Sequence, residues 1–300
     1  MLRPRKPGPG PAQGTKLDTF MRTDAPKFPD AGTATVQASI RTRGPARVFR
    51  WLGCGWEDML DCGWVSYLHG LALSLVGVAI VLVYHDRFLQ LVGALSGFLL
   101  VAPILATSLY ALSRAREHGE RTSFAVVLKT WLNWQDNHFN KWGNDYWCLV
   151  QFGALLALAG TGWLFTSAAL ITLLAPVQVH TPAEFLEQVV LAKNGHLFEL
   201  WLALGGLLAA PIYASSVITI PLLLDRRVSL MQAILTSWQV VIANPLLMAL
   251  WAVVIMTSAL LGMAALMFGL TPVVPLLGHA SWHAYRDLVD VEALPQRERG

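Results

Sequence analysis

The sequence predicts an all-α, polytopic membrane helix bundle: six transmembrane helices forming three repeated hairpins, with two cytoplasmic amphipathic helices. Three observations carry that expectation. The 300 residues are 55% hydrophobic and only 14% charged, against roughly 25% charge in a soluble domain. The apolar residues fall in unbroken runs long enough to cross a bilayer core. A proline-bearing motif also recurs in three of those runs, as Pro103-Ile-Leu-Ala-Thr-Ser, Pro211-Ile-Tyr-Ala-Ser-Ser and Pro275-Leu-Leu-Gly-His-Ala.

Residues 1–46 are rich in Pro, Gly, Thr and Arg without apolar periodicity. Such a segment cannot bury enough surface to offset its ordering entropy, so a disordered cytoplasmic tail is expected. No apolar stretch follows Arg3, Arg5 and Lys6, as it would in a signal peptide. A six-span membrane domain then covers 47–290 and a second cytoplasmic tail 291–300. The domain opens with an aromatic, acidic approach in which Trp51, Trp56 and Trp64 suit the headgroup layer. Glu57, Asp58 and Asp61 there read as solvated charges in the first turn of a helix.

Spans are expected at about 65–84, 88–112, 149–175, 200–224, 246–268 and 270–288. From Leu246 to Tyr285 the chain carries no Asp, Glu, Lys or Arg, which is room for two spans. The turn between them falls near Gly269-Leu-Thr-Pro272 or as early as Gly262. Twenty of the 22 Lys and Arg lie in the two arms and the two longer connections, and only Arg87 and Lys193 on the opposite side. By the positive-inside rule both ends are cytoplasmic. Thr122–Trp131 and Ser229–Trp238 each pair a capping hydroxyl with helically spaced apolar residues, giving the two amphipathic helices. Asn244-Pro245 closes the second.

The candidate site residues follow from the repeats. Four positions after each proline stand Thr107, Ser215 and His279. A proline frees the carbonyl four residues back and usually kinks its helix. The polar side chains one turn on from Pro103, Pro211 and Pro275 either line an inward cavity or pack against neighbouring helices. Interrupted spans at corresponding places of a repeat point to a transport site; small residues such as Ala106, Ala214 and Gly278 point to close packing. His279 and His283 share a helix face, so they are candidate metal or haem ligands, although no further ligand stands at a spacing that completes a site. The alternative is interfacial hydrogen bonding to other helices. Arg114, Arg116, Arg226, Arg227 and Arg286 read as topology anchors at span ends. Cys54, Cys62 and Cys148 fit no metal or redox spacing.

Gly97–Pro103, Leu109–Arg114, Pro221–Arg226, Ala233–Trp238 with Asn244-Pro245, and Gly278–Arg286 resemble the bacterial integral membrane family called domain of unknown function 2189. The likeness covers about residues 55–290, and the terminal histidine motif is its most specific part. It implies a six-span bacterial inner-membrane protein of undetermined activity. The chain departs from the family at Ala111, where an acidic residue is usual.

No nucleophile–base set, phosphate loop or paired carboxylates emerges, and the small net charge of +3 suggests no nucleic-acid partner. The expected role is therefore a non-enzymatic accessory or assembly component without a cofactor, in contact with the bilayer and with a membrane-protein partner. A small-solute transporter or channel using the kinked helices, and a haem- or metal-binding protein using His279 and His283, are the alternatives.

Overall fold

In the computed structural model the described residues are 38–136, 147–175, 177–192 and 196–296. They are almost wholly helical. The helices are α1 (Arg47–Cys62), α2 (Trp64–Tyr84), α3 (Phe88–Leu105), α4 (Thr107–Glu117), α5 (Phe124–Asp136) and α6 (Trp147–Leu174). After α7 (Pro182–Phe185), which runs into a π-turn at Leu186–Val190, come α8 (Leu197–Ser216) and α9 (Thr219–Asp225). The chain ends with α10 (Leu230–Ala243), α11 (Pro245–Ala264) and α12 (Leu270–Leu288).

Among the described residues four stretches are long and apolar enough to cross a membrane: Trp64–Tyr84, Val150–Leu174, Leu197–Asp225 and Pro245–Ala264. The other two expected spans read differently. The stretch 88–112 is two helices separated at Ala106, and only Phe88–Leu99 of it is a shorter apolar helix. The stretch 270–288 is one helix whose low hydropathy has a physical cause. Pro275, Gly278, His279, Ala280, Trp282, Ala284 and Tyr285 of α12 are all buried, so its polar groups meet protein rather than lipid. The turn before it takes Leu266 and Met267 through positive φ, between the two glycines expected to mark it.

The central helix is α12, and it is approached closely on two sides. A Cβ on Gly70 of α2 would stand 2.0 Å from the Thr271 carbonyl oxygen, and one on Gly55 of α1 would stand 2.7 Å from the Ala280 nitrogen. Only hydrogen fits at either crossing. The main core runs from Trp51 and Val65 through Leu109, Leu112 and Ile220–Leu224 to Trp251, Trp282 and Tyr285. A smaller apolar cluster of Ile171, Val179, Val189 and Leu197 joins the segments around the π-turn.

Helices form at both stretches expected to be amphipathic, as α5 and α10, although Phe124, Leu128 and Trp238 of the expected apolar faces are exposed. Ser229 caps α10 by accepting the Gln232 N–H at 3.2 Å, as the sequence suggested. That helix buries Ala233, Thr236, Ser237 and Val240. It also covers the break between α8 and α9, where Ser237 Oγ accepts the Ile218 N–H at 3.1 Å. The break itself traces to Pro221, which has no N–H to offer the Val217 carbonyl.

Three expectations are corrected. Residues 38–46 are not tail: β1 (Ser39–Ile40) pairs antiparallel with β2 (Val289–Asp290), and Asn244 accepts the Arg43 N–H at 2.8 Å while donating to the Arg41 carbonyl. Residues 1–37 of the expected tail lie outside the described residues. Nor is 291–296 a free tail, since Val291 and Leu294 are buried and the Pro295 carbonyl accepts the Arg227 N–H at 3.0 Å. Trp51 does not sit among headgroups; it is 1% exposed and packs edge-on against Trp251 at 5.6 Å. Partners far along the chain fix those elements, which local composition does not reveal.

Candidate functional site

At one end of the bundle α1, α2, α4 and α12 converge on a buried polar chain. His279 lies on α12 with Nε2 2.9 Å from Ser66 Oγ and Nδ1 2.7 Å from Ser113 Oγ. Ser113 Oγ in turn donates to Asp58 Oδ2 at 2.5 Å. Asp58, Ser66, Ser113 and His279 are each at most 2% exposed. Hydrogen bookkeeping fixes the direction of this chain. A hydroxyl has one proton; if Ser113 gives its own to the carboxylate, its oxygen accepts from His279 Nδ1–H. A neutral imidazole then has a bare Nε2, which accepts from Ser66.

Asp58 also faces His283, whose Nε2 stands 3.0 Å from Oδ2, and Arg116, which bridges it to Asp61. Burial works to raise the Asp58 carboxyl, but hydrogen bonds from His283 and Ser113 hold it below its ordinary value. Beside it, burial pushes the Cys62 thiol up, which makes it unreactive. Cys54 and Cys62 are both free, and the Cys148 side chain lies outside the described residues.

A second knot holds α4, α9 and α12. Asp225 is 3% exposed and accepts from Tyr285 Oη at 2.8 Å and Arg226 Nε at 2.9 Å, with Arg114 Nε at 3.0 Å. Arg286 binds Glu117 at 2.7 Å, and Trp282 donates to the same carboxylate at 3.0 Å. A third joins α12 to the N-terminal segment: Asp287 receives Arg47, Arg43 and the indole of Trp51. Arg114, Arg116, Arg226 and Arg286 are therefore each set against a carboxylate of another element or of their own turn. Arg227 is exposed and uses its backbone N–H on Pro295.

The repeat-derived residues separate. Thr107 is buried at the start of α4, Pro211 is exposed and Pro275 is buried inside α12. Pro103 lies in α3, with its side chain outside the described residues. Ser215 accepts from the Trp238 indole at 2.9 Å, so it turns to α10 while His279 turns to α2 and α4. A cavity of about 180 Å³ does exist among these helices. Its walls include Ala106, Tyr110, Ser216, Val217, Gly278 and Ser281 rather than Thr107, Ser215 and His279.

Asp58, Ser66, Ser113 and Asp225 are functional candidates that sequence reasoning passed over. Asp58 is a correction to the expected solvated charge: it stands on the inward stripe of α1 with Val48, Trp51, Gly55, Met59 and Cys62. An acidic residue at that helical spacing was the available signal. Among the described residues no group of three or more His, Cys, Asp or Glu is arranged to hold a metal ion.

No curated protein and no solved structure matches the chain. Residues 91–225, from α3 to the end of α9, match the family model described as "Predicted integral membrane protein (DUF2189)", the family whose motifs the sequence resembles, though the histidine motif of α12 lies beyond the matched segment.

Proposed function

We propose that this integral membrane protein is a non-enzymatic accessory or assembly component of a bacterial inner membrane, crossing it six times with both ends cytoplasmic. One observation carries the non-enzymatic reading. Among the described residues Asp58, Ser66, Ser113 and His279, which converge as a catalytic set would, are spent on one another and shut away from solvent. A catalytic base needs a reachable substrate proton; these imidazole and hydroxyl groups instead tie four helices together.

The six-crossing reading is supported by what meets at each end. Asp58, Arg116, Asp225, Arg286 and Asp287 are bonded to one another or to adjacent groups at one end. The 85–87 turn, the π-turn and the 265–269 turn are the connections left for the other. Phe88, which follows the first of these, packs on Phe185 at 5.7 Å. Single cysteines near Pro182 and Ser229 test the topology: a membrane-impermeant thiol reagent should label the first in intact cells and spare the second. Labelling at Ser229 would overturn it. The accessory role is tested by native electrophoresis of mildly solubilised membranes, where the protein should migrate with a larger membrane complex. Migration as a free monomer, together with solute uptake in proteoliposomes, would replace it with the second reading, a small-solute transporter or channel, which the cavity among these helices favours.

A further inference from the structure

The cavity between α2, α3, α4, α8, α11 and α12 has walls that say what fits it. Leu73, Phe98, Ile255 and Ala259 are among its apolar lining. Four hydroxyl-bearing residues also reach it, and three of them spend their proton inside the protein. Tyr213 donates to the Met248 carbonyl at 2.9 Å, Ser216 to the Tyr213 carbonyl at 3.3 Å and Ser281 to the Leu277 carbonyl at 2.7 Å. The fourth, Tyr110, is buried beside Ser281. The wall thus offers an entering molecule at most the Tyr110 hydroxyl proton. A sugar, amino acid or hydrated ion would give up its water hydrogen bonds for apolar walls, at several kcal/mol per polar group.

We infer that this cavity holds a segment of the acyl chain of a bilayer phospholipid. Two of its walls, α8 and α11, carry Leu202, Leu207, Val253 and Met256 exposed on their outer sides, so hydrocarbon is the medium around it. An apolar cavity of about 150 Å³ admits benzene, so the 180 Å³ here takes a chain segment of roughly seven carbons. The lipid head stays outside, where its charge remains hydrated. This site stands independently of the accessory role.

The test uses the full-length protein in phosphatidylcholine vesicles doped with the same lipid bearing a diazirine in its acyl chain. After illumination, adducts are mapped by mass spectrometry. Adducts are expected at Tyr110, Leu277 or Ser281, in addition to outward residues such as Leu207 and Met256. Ala259→Phe fills the cavity from α11 and should abolish the inner adducts while leaving the outer ones and the melting temperature in place. If the Phe variant does not fold, Ala259→Leu carries the same comparison with a smaller side chain. Adducts confined to outward residues, or inner adducts that survive a folded cavity-filling variant, overturn the proposal. So does labelling of the inner residues by a small water-soluble aryl diazirine but not by the lipid, which would assign the cavity to a small apolar solute.

Discussion

Replacing Asp58 probes the buried chain most directly, because Asn and Leu perturb it differently. Asp58→Leu removes the acceptor of Ser113, His283 and Arg116 together. Breaking a buried charged network costs about 3–5 kcal/mol when the partner charge is stranded. Arg116 keeps Asp61 and is 35% exposed, so the low end, about 3 kcal/mol, is expected. Asp58→Asn keeps the shape. Its amide oxygen can still face Arg116, leaving the NH2 toward Ser113. The chain then reverses: Ser113 accepts from Asn, donates to His279 Nδ1, and His279 Nε2–H donates to Ser66. Only the charge assistance is lost, about 1–2 kcal/mol. Reversible denaturation in detergent measures the costs, and nitrogen NMR of the labelled imidazole reads the tautomer. The wild-type protein should carry the His279 proton on Nδ1 and the Asn variant on Nε2. A wild-type Nε2–H tautomer, or a Leu variant as stable as the parent, would refute the reasoning.

Further outcomes follow from the same contacts. The Asp58 carboxyl is held below its ordinary value of 3.8 in the folded protein, so its stabilisation is complete above that pH and is lost as pH falls through the lower folded value. Acid melting curves of the Asn variant should lack this limb. Gly70→Ala drives a methyl against the Thr271 carbonyl, which is backbone and cannot swing aside; a loss of about 1–3 kcal/mol is expected in the same denaturation assay. His279→Ala should cost about 0.5–2 kcal/mol, as interhelical bonds in membranes do, and His283→Ala less, because its side chain is 27% exposed and water can serve Asp58. Equal losses for the two histidines would contradict that ranking. Ser237→Ala strands the buried Ile218 N–H, at about 1–3 kcal/mol, and should speed amide exchange at the α8–α9 break.

Hydropathy alone determined that this chain is helical and built for a bilayer, since unbroken apolar runs longer than a turn or strand have no other stable home. Local chemistry also located α10 through Ser229, the short 85–87 connection, and the separation of α11 from α12. Those features depend on residues within a few positions of one another. Tertiary structure decided the rest. Asp58 reads as a solvated charge beside Glu57 and Asp61, and only the arrival of Ser113, Arg116 and His283 from other helices makes it a buried hub. His279 has no partner legible in the sequence until Ser66, 213 positions away, takes its Nε2. The repeat placed Thr107, Ser215 and His279 on equivalent positions, yet helix breaks at Ala106 and Val217–Ile218 with none in α12 turn them to different neighbours. Hydrophobic burial is written residue by residue along the chain, whereas the partner of a buried polar group is set by which helices happen to meet.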